Sequence, residues 1–408
     1  MADVAVAAKQ VERVTKGIGR ERCAERDQAA AAYLALPLVQ RKAAPAGVTP
    51  PALAVVGTDG GRLQILDRRA AAADTAAAPP AAGPAAAATA PVAAPAEEAL
   101  ADENPQRRGR HWREDKIGLL MAMDSPVLPF DPCPDIPEGF LDPTRMGKLV
   151  RELRKGVPLA DEPAAPAEEP EAGRAVLEES GPVWQPPKVT QRRLVASRRC
   201  WEQFGPLVAS AAWAMGLFAA PRRVFLGDGA ENNWTIWRSY FGSFVPVLDF
   251  IHALSYVYAA AHAGRAPAAG WGCYAQWIRW VWQGQVAAVL DALEERQGEL
   301  GRPRSTDKDS HPRKVVATTI TYLRNNAARM QYDRFRREGL PIVSSYVESA
   351  VKQFNYRVKG TEKFWGEEGA EAILQLRADH LSDDQPLEAF WERRQAAQTG
   401  QRRHRDAA

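Results

Sequence analysis

Three acidic residues that are far apart in the chain have the type and the setting needed for two-metal phosphoryl transfer. Asp59 lies in LAVVGTDGGRLQIL, Asp228 in RRVFLGDGAENNW and Glu348 in SSYVESAVKQF. The two aspartates follow apolar, strand-like runs, whereas the glutamate lies in the first turn of a predicted helix. Carboxylates that converge from two strands and a helix can hold a pair of Mg²⁺ ions, or Mn²⁺ as a substitute. We therefore take these three residues as the candidate metal ligands and catalytic residues.

Each of these residues also has an ordinary interpretation. An Asp-Gly pair after a strand is most often a turn, and a Glu near a helix start is usually a cap or a solvated residue. The glycines Gly60 and Gly229, which follow the aspartates, would leave room for a DNA backbone to approach. The three acids together, in strand–strand–helix order, favour the metal site.

Two further residues stand at the junction of a predicted strand and a predicted helix, in the sequence DFIH. Asp249 and His252 could lie next to the metal ligands and support them without binding the metal, or they could contact the end of a DNA strand. They could equally be a hydrogen-bonded pair that caps the following helix. Both interpretations stay open at the level of the sequence.

Basic and aromatic residues follow Glu348 closely. The residues that we predict to contact DNA are Lys352, Arg357, Lys359, Lys363 and Trp365. Basic side chains can bind phosphates, and aromatic rings can stack on exposed bases. The alternative is an ordinary amphipathic helix followed by a loop, and the proximity to Glu348 favours DNA.

Composition limits the class of protein without selecting a function. The chain has 408 residues, with 53 basic and 50 acidic side chains and a net charge of +3. Its four cysteines are scattered, which argues against a zinc ribbon and a disulfide framework. The longest apolar run, at 205–220, is shorter than the ~20 residues that cross a bilayer, and the N-terminus lacks a secretory apolar core. We therefore expect a cytoplasmic protein that does not enter a membrane.

The order of predicted elements indicates an α/β fold. Strands are predicted at 53–59, 61–68, 111–124, 222–229 and the start of 245–262. Helices are predicted at 3–34, 145–156, 190–220, 232–241, the rest of 245–262, 271–338, around Glu348 and at 369–381. Asp-Gly-Gly at 59–61 would be the turn of a hairpin between the first two strands. This order predicts an RNase H-like mixed five-stranded sheet flanked by helices, with an all-α insertion domain.

The composition also changes along the chain. The predicted divisions are an N-terminal helical segment (1–45), the first strands of the core (46–69 and 109–125), a disordered Ala/Pro insertion (70–108), a Pro-rich connection with a short helix (126–189), the continued core (190–262), a helical insertion domain (263–339), the Glu348 helix with a C-terminal core helix (340–381) and a basic tail (382–408). The Ala/Pro tract has no periodic apolar face that could be buried.

Several sequence blocks resemble the DDE transposases of bacterial insertion sequences, specifically the Kra-type group. The blocks are VVGTDGGRLQI, HWREDKIGLLMAM, GDGA…W, LDF.HA, RNN..RM.Y..FR..GLPI.S..VES..K and R.KGTEKFW. The resemblance covers about 50–67, 109–155 and 190–392. The RNN–VES block is long and specific, so chance agreement is improbable.

This resemblance implies a fold, an activity and a set of site residues. Such proteins have an RNase H-like core, cut DNA at transposon ends and join the freed 3′-hydroxyl to target DNA. Asp59, Asp228 and Glu348 would be the metal-binding triad, and Asp249 and His252 match a D-x-x-H motif of related superfamilies. The implied partners are double-stranded DNA, as terminal inverted repeats and target, and further copies of the chain. The protein would act at the nucleoid.

One departure from the family pattern bears on the rival functions, of which two stay open. Only ~45 residues precede the first strand, which suffices for a small helical module and suggests a truncated DNA-binding region. One rival is therefore a degenerate, transposase-derived protein that binds DNA without cleaving it. The other is an RNase H-like structure-specific nuclease, which would cut without joining ends.

Overall fold

The computed structural model describes residues 7–65, 111–154, 186–359, 363 and 365–398. The predicted Ala/Pro insertion at 70–108 and the last ten residues of the predicted basic tail lie outside the described residues. Residues 155–185 of the predicted Pro-rich connection also lie outside the described residues. No helix in the described ranges combines the length and the apolar character needed to cross a membrane.

A mixed five-stranded sheet forms the centre of the fold. Its strands are β1 (Leu53–Ile65), β2 (His111–Asp124), β3 (Lys188–Ser197), β4 (Arg222–Gly227) and β5 (Val245–Leu248). They lie in the order β3-β2-β1-β4-β5. β2 is antiparallel to both of its neighbours, whereas β4 is parallel to β1 and β5 is parallel to β4. The predicted α/β class with a mixed five-stranded sheet is confirmed, although the first two predicted strands are one strand and β3 was predicted as a helix.

The predicted hairpin at Asp-Gly-Gly is wrong. β1 runs without a break from Leu53 to Ile65, and every residue of it pairs with β2. Asp59 pairs with Ile117 and Gly61 with Asp115, so the supposed turn residues continue the ladder. Gly61 is needed for packing, because a Cβ there would lie 2.8 Å from an Asp115 carboxylate oxygen. Asp-Gly-Gly usually indicates a turn, but here Gly61 allows the close approach of Asp115 inside a long strand.

The predicted helix over 190–220 is also wrong in its first part. Residues Lys188–Ser197 form the edge strand β3, and the helix begins only at Trp201. Gln, Arg, Leu and Ala favour helices intrinsically, but pairing with β2 overrides that preference. The outer edge of β3 is covered, since the Arg192 N–H donates to Asp383 at 2.9 Å and the Leu194 N–H donates to the Ser382 hydroxyl at 3.0 Å. Such cover protects the edge from pairing with other chains.

Helices surround this sheet. They are α1 (Ala8–Ala35), α2 (Leu38–Lys42), α3 (Pro143–Leu153), α4 (Trp201–Ala214), α5 (Glu231–Tyr240), α6 (Phe250–His262), α7 (Pro267–Trp282), α8 (Val286–Leu300), α9 (Pro312–Asn326), α10 (Tyr332–Arg337), α11 (Ser345–Val358), α12 (Glu367–Leu381) and α13 (Pro386–Gln398). α11 packs on one face, where Gly57 meets Val347, and α4 packs on the other, where Gly118 meets Val208. The two faces differ because side chains alternate along paired strands.

Helices α7 to α10 form the helical block that the sequence predicts over 271–338. The block is interrupted by a loop at 301–311, which the prediction did not include. An aromatic cluster joins it to the sheet, with the Phe250 ring 5.1 Å from Trp282 and 5.3 Å from Tyr332. The Tyr332 hydroxyl also donates to the Leu248 carbonyl of β5 at 3.0 Å. These contacts fix the block to the strand end that carries Asp249.

The predicted basic tail begins with a helix that the sequence did not reveal. α13 buries Phe390, and the Arg22 guanidinium of α1 lies 5.5 Å from the centre of that ring. Ion pairs of Arg393 with Glu25 and of Arg394 with Glu21 add to this contact. The segment therefore belongs to the folded body at least to Gln398.

Candidate active site

Three aspartates stand in one row across neighbouring parallel strands. β1 and β4 pair with Gly57 opposite Leu226, and two residues further along each strand this register places Asp59 level with Asp228. The register of β4 and β5 continues the row to Asp249, one residue past the end of β5. Adjacent strands lie about 4.8 Å apart, so carboxylates in such a row can act together. The predicted convergence of Asp59 and Asp228 from two strands thus has a basis in the strand register.

Asp59 is half-buried inside β1. Its Oδ1 atom accepts a hydrogen bond from the Gly60 N–H at 2.6 Å. Burial, and next the negative charge of Asp228, raise the pKa of Asp59 to about 6 from an ordinary 3.8. Two buried carboxylates repel each other, and a divalent cation bound to both would neutralise this repulsion.

Asp228 is held in place by the start of α5. Its Oδ1 atom accepts hydrogen bonds from the Ala230 N–H at 2.8 Å and from the Asn233 side-chain amide at 2.7 Å. The Asn233 carbonyl oxygen in turn accepts from the Thr58 hydroxyl of β1 at 2.7 Å. Asn233 therefore ties the two strands together beside both acids. Sequence reasoning missed this role, although the spacing of five residues from Asp228 into the next helix could have indicated it.

The sequence suggested that Gly229 leaves room for a DNA backbone, but another side chain fills the space beside this glycine. Its φ of +98° lies in the left-handed region that favours glycine. A Cβ at this position would lie 2.5 Å from the Tyr322 ring, which occupies the space. The Tyr322 hydroxyl donates to the Asp228 backbone carbonyl at 2.7 Å. The glycine is thus required for the turn and for the close approach of Tyr322.

Asp249 and His252 are a closely paired acid and base. Asp249 is fully buried, and its Oδ2 atom lies 2.5 Å from His252 Nδ1. Its Oδ1 atom accepts from the Ile251 N–H at 3.3 Å, which caps α6, and from the Ser344 N–H at 3.0 Å. The pair therefore caps the helix, as one of the two sequence interpretations proposed, and it also joins α6 to the segment that leads into α11.

The charges of this pair are mutually stabilised. Burial alone would lower the pKa of His252, but the hydrogen bond and charge of Asp249 outweigh burial and raise it to about 9. Burial would likewise raise the pKa of Asp249, whereas the bond to His252 and its charge lower that pKa. The raised pKa favours the protonated imidazole in the metal-free protein, so a metal ion at His252 would have to displace that proton.

Glu348 approaches the row of aspartates from α11. Burial, and next the charge of Asp249, raise the pKa of Glu348, while the positive charges of His252 and Lys352 act against this shift. The charge of Asp59 also acts on Glu348. The first turn of a helix favours a negative charge. Glu348 thus shares one electrostatic environment with acids from β1 and from the end of β5.

The most compact group in the site is not the predicted triad. Among the described residues, ligand atoms of Asp249, His252 and Glu348 all lie within 4.8 Å of one another, and neither Asp59 nor Asp228 belongs to this group. The two predicted aspartates stand beside it, in the same row as Asp249. The structure therefore brings all five residues to one end of the sheet, with Glu348 nearest to the Asp249–His252 pair.

The oxygen donors of the site fit a hard divalent cation. Both hydrogen bonds to the Asp228 carboxylate end on Oδ1, and the bond to Asp59 also ends on Oδ1. The second oxygen of each carboxylate is then suited to a metal, and Mg²⁺ prefers carboxylate oxygens. Asp59, Asp228 and Glu348 offer only carboxylate oxygens, whereas the compact group includes the His252 ring.

The residues predicted to contact DNA lie along α11 and just beyond it. Lys352 is exposed one turn after Glu348, and Arg357 is exposed with its guanidinium 5.4 Å from the Tyr356 ring. Lys363 is also exposed, and its ammonium donates to the Tyr356 carbonyl at 3.3 Å. These three side chains leave positive charge on the surface of α11 and just beyond it, and only Lys352 lies within one turn of Glu348.

Lys359 and Trp365 have structural partners instead. Lys359 is half-buried, and its charge acts to lower the pKa of Asp115 on β2. The Trp365 indole N–H donates to the Val358 carbonyl at 2.9 Å, and its backbone N–H donates to the Gln64 carbonyl at 3.1 Å. Trp365 is thereby held against the end of β1, and stacking of its ring on DNA bases stays a prediction.

Comparison of the chain with protein-family models, with curated proteins and with solved structures finds no match. Any assignment of function therefore depends on the geometry and chemistry of the site together with the sequence blocks described above.

Proposed function

We propose that this chain is a DDE-type transposase of an insertion sequence, which cleaves DNA at transposon ends and transfers the cut strand to target DNA. The observation that carries the proposal is the strand register that sets Asp59 level with Asp228, with α11 delivering Glu348 to the same end of the sheet. The strand order, with β2 as the antiparallel member, supports an RNase H-like sheet. In such a sheet, neighbouring strands present carboxylates at the same end of the sheet.

In this proposal Asp59, Asp228 and Glu348 hold Mg²⁺, or Mn²⁺ in its place. When bound, the two metal ions would activate the attacking oxygen and stabilise the leaving oxygen of a phosphodiester. Asn233 keeps the Asp228 carboxylate oriented through its bond to Oδ1. The protonated His252 offsets the negative charge of the surrounding acids. Lys352, Arg357 and Lys363 would bind backbone phosphates and so orient the DNA.

The proposed partners are double-stranded DNA and further copies of the chain. Terminal inverted repeats would be the first substrate, and target DNA would be the second. Pairing of two transposon ends requires at least two active sites, so we expect a dimer or a larger assembly on DNA. A protein with this activity would work in the cytoplasm, at the nucleoid.

A cleavage assay tests the proposal directly. The substrate is labelled duplex DNA that carries the inverted repeats flanking the reading frame, incubated with Mg²⁺ and target DNA. The control is Asp228→Asn, which keeps Oδ1 as the acceptor for Asn233 and replaces the other, proposed metal-binding oxygen by an uncharged NH2 group. We expect the wild type to cut and join ends, and the variant to lose more than the roughly 10–100-fold that removal of a supporting residue costs.

One rival has specific structural support. A degenerate protein that binds DNA without cleaving it would explain why Asp59 and Asp228 lie outside the compact group. Equal inactivity of wild type and Asp228→Asn, with intact DNA binding, would establish that rival. Cutting of RNA–DNA hybrids or branched DNA without joining of ends would instead identify an RNase H-like nuclease.

A further inference from the structure

A half-buried arginine lies beside the site on an aromatic stack. The Arg154 guanidinium carbon lies 4.4 Å from the centre of the Tyr256 ring. That ring is stacked on Tyr322, with centroids 3.7 Å apart and planes 9° from parallel. The Tyr322 hydroxyl donates to the Asp228 backbone carbonyl at 2.7 Å. The stack thus connects Arg154, through two rings, to one of the proposed metal ligands.

The same stack adjoins His252 through α6. His252 and Tyr256 are four residues apart in this helix, so they lie on one face, one turn from each other. Both side chains are half-buried, as is Tyr322. A series of contacts therefore leads from Asp228 across the tyrosine pair to Arg154.

Among the described residues Arg154 has no acidic partner, whereas two other sheltered arginines do. Its Nη1 atom is buried, and no hydrogen-bond acceptor for it exists among the described residues. By contrast, the buried Arg336 pairs with Asp131, and the buried Arg22 pairs with Asp379 at 2.9 Å. Burial lowers the pKa of Arg154, and the largest opposing influence is the Tyr256 hydroxyl rather than a carboxylate. A buried guanidinium N–H group without an acceptor destabilises the fold, unless an anion accepts its hydrogen bond.

Local structure alone explains only part of this placement. Arg154 caps the C-terminus of α3, where a positive charge is favoured by the helix dipole. The Tyr256 ring beneath it adds a cation–π contact. Neither interaction provides an acceptor for Nη1. Lys148 and Arg151, at spacings of three residues on α3, are exposed and extend the positive charge along the helix.

We propose that Arg154, carried on the Tyr256–Tyr322 stack, binds a backbone phosphate of the DNA next to the phosphate that reacts. This inference rests on the proposed function for its ligand, and it adds a binding position from the segment between β2 and β3. A planar guanidinium matches the geometry of a phosphodiester, and Nη1 of Arg154 has no acceptor among the described residues. The stacked rings fix the distance between this position and the Asp228 turn.

The test is DNA affinity as a function of salt concentration, measured on the full chain in EDTA so that cleavage does not interfere. The probe is a short fluorescent duplex, and the variants are Arg154→Met, which keeps the stem over Tyr256, and Arg154→Lys, which keeps the charge. Arg279→Met, at an exposed arginine of α7, controls for the loss of one positive charge. One phosphate contact contributes about 0.9 to the slope of log affinity against log salt.

We expect Arg154→Met to bind more weakly and to show a slope shallower by about one, with Arg154→Lys retaining the slope. A wild-type slope and affinity in Arg154→Met, with the variant folded, would overturn the inference. Should Arg154→Met not fold, the comparison of Arg154→Gln with Arg154→Lys decides in the same way. Failure of the transposase proposal looks different, because it is an absence of cleavage in the wild type, whatever the salt slope of the Arg154 variants.

Discussion

Val347 on α11 rests directly on Gly57 of β1. A Cβ atom at Gly57 would lie 2.6 Å from Val347 Cγ2, which is closer than real Cβ contacts come. No side chain therefore separates the helix from the strand at this crossing. Because Glu348 follows Val347 immediately, this contact sets how closely the glutamate can approach the acids of the sheet.

Substitution of Gly57 by Ala should move α11 away from β1. We expect Gly57→Ala to lose roughly 1–3 kcal/mol of unfolding free energy through overpacking, and to lower the rate of DNA cleavage. The measurements are urea unfolding and the cleavage assay. Val347→Ala in the Gly57→Ala background should restore both, since it removes the clashing methyl groups. Wild-type stability and activity in Gly57→Ala alone would show that the crossing is not this close.

Substitution of Asn233 by Ala should impair catalysis more than stability. Asn233 links the Thr58 hydroxyl to Asp228 Oδ1, so its loss frees the carboxylate to rotate. We expect about a 10–100-fold lower cleavage rate, as for other residues that orient metal ligands. Asn232→Ala, at the exposed neighbouring position, is the matched control. An equal effect of the two substitutions would contradict the orienting role.

The Asp249–His252 pair should give a stability difference that depends on pH. The pKa of His252 is raised from 6.5 to about 9, so its contribution is fully present below pH 6.5 and is lost as pH rises through 9. The pKa of Asp249 is lowered, so its contribution is present above pH 3.8 and is lost as pH falls through the lowered pKa. The pair is therefore most stabilising between about pH 4 and pH 6.5.

The pH range in which the Asp249–His252 pair stabilises the fold can be measured with His252→Asn. We expect the variant to be less stable than the wild type by on the order of 3 kcal/mol at pH 6, with the difference shrinking toward pH 9.5. Urea unfolding at the two pH values gives both free energies. A difference that is the same at pH 6 and pH 9.5 would show that His252 is not charged in the folded state.

Asp115 should respond to pH in the opposite sense. It is fully buried on β2, and neither of its carboxylate oxygens has a hydrogen-bond partner among the described residues. Burial raises its pKa from 3.8 to about 6, so its charge destabilises the fold above pH 6 and has no such effect once both states are protonated below pH 3.8. We expect Asp115→Asn to be more stable than the wild type at pH 7.5, by up to about 3 kcal/mol.

The gain from Asp115→Asn should largely vanish at pH 4, because the wild-type carboxyl is then neutral in the folded protein. Thermal unfolding at pH 4 and pH 7.5 measures both differences. Asp124→Asn, at an exposed position on the same strand, is the control and should show no such pattern. Destabilisation by Asp115→Asn at pH 7.5 would indicate that the carboxylate has a partner when the protein is in solution.

The sequence was informative where local pattern and tertiary context agree. The apolar run before Asp228 is a strand, the DFIH segment stands at the end of a strand and the start of a helix, and Glu348 lies in the first turn of α11. In each case an apolar run meets a polar residue at the point where the chain leaves the sheet or enters a helix. The placement of Asp228 beside Asp249 follows from this, because parallel strands end on the same side, whereas Asp59 lies inside β1, which continues to Ile65.

Errors arose where a distant partner determined the structure. Asp-Gly-Gly resembles a turn, but β2 pairs with β1 along its whole length and keeps the chain extended. The QRRLVAS segment favours a helix by composition, but it is a strand because β2 and the Asp383 side chain satisfy its backbone. The role of Asn233 depends partly on Thr58, which is 175 residues away, so local spacing could indicate only its bond to Asp228. The position of Arg154 depends on Tyr256 of α6, which no local pattern shows.

The position of bound Mn²⁺ tests the central claim most directly. Anomalous diffraction from crystals soaked in Mn²⁺ would locate the ions relative to each carboxylate. We predict density coordinated by Asp59, Asp228 and Glu348, with the protonated His252 outside the coordination sphere. Mn²⁺ held only by Asp249, His252 and Glu348, or a site where Asp59 and Asp228 coordinate no ion, would contradict the account.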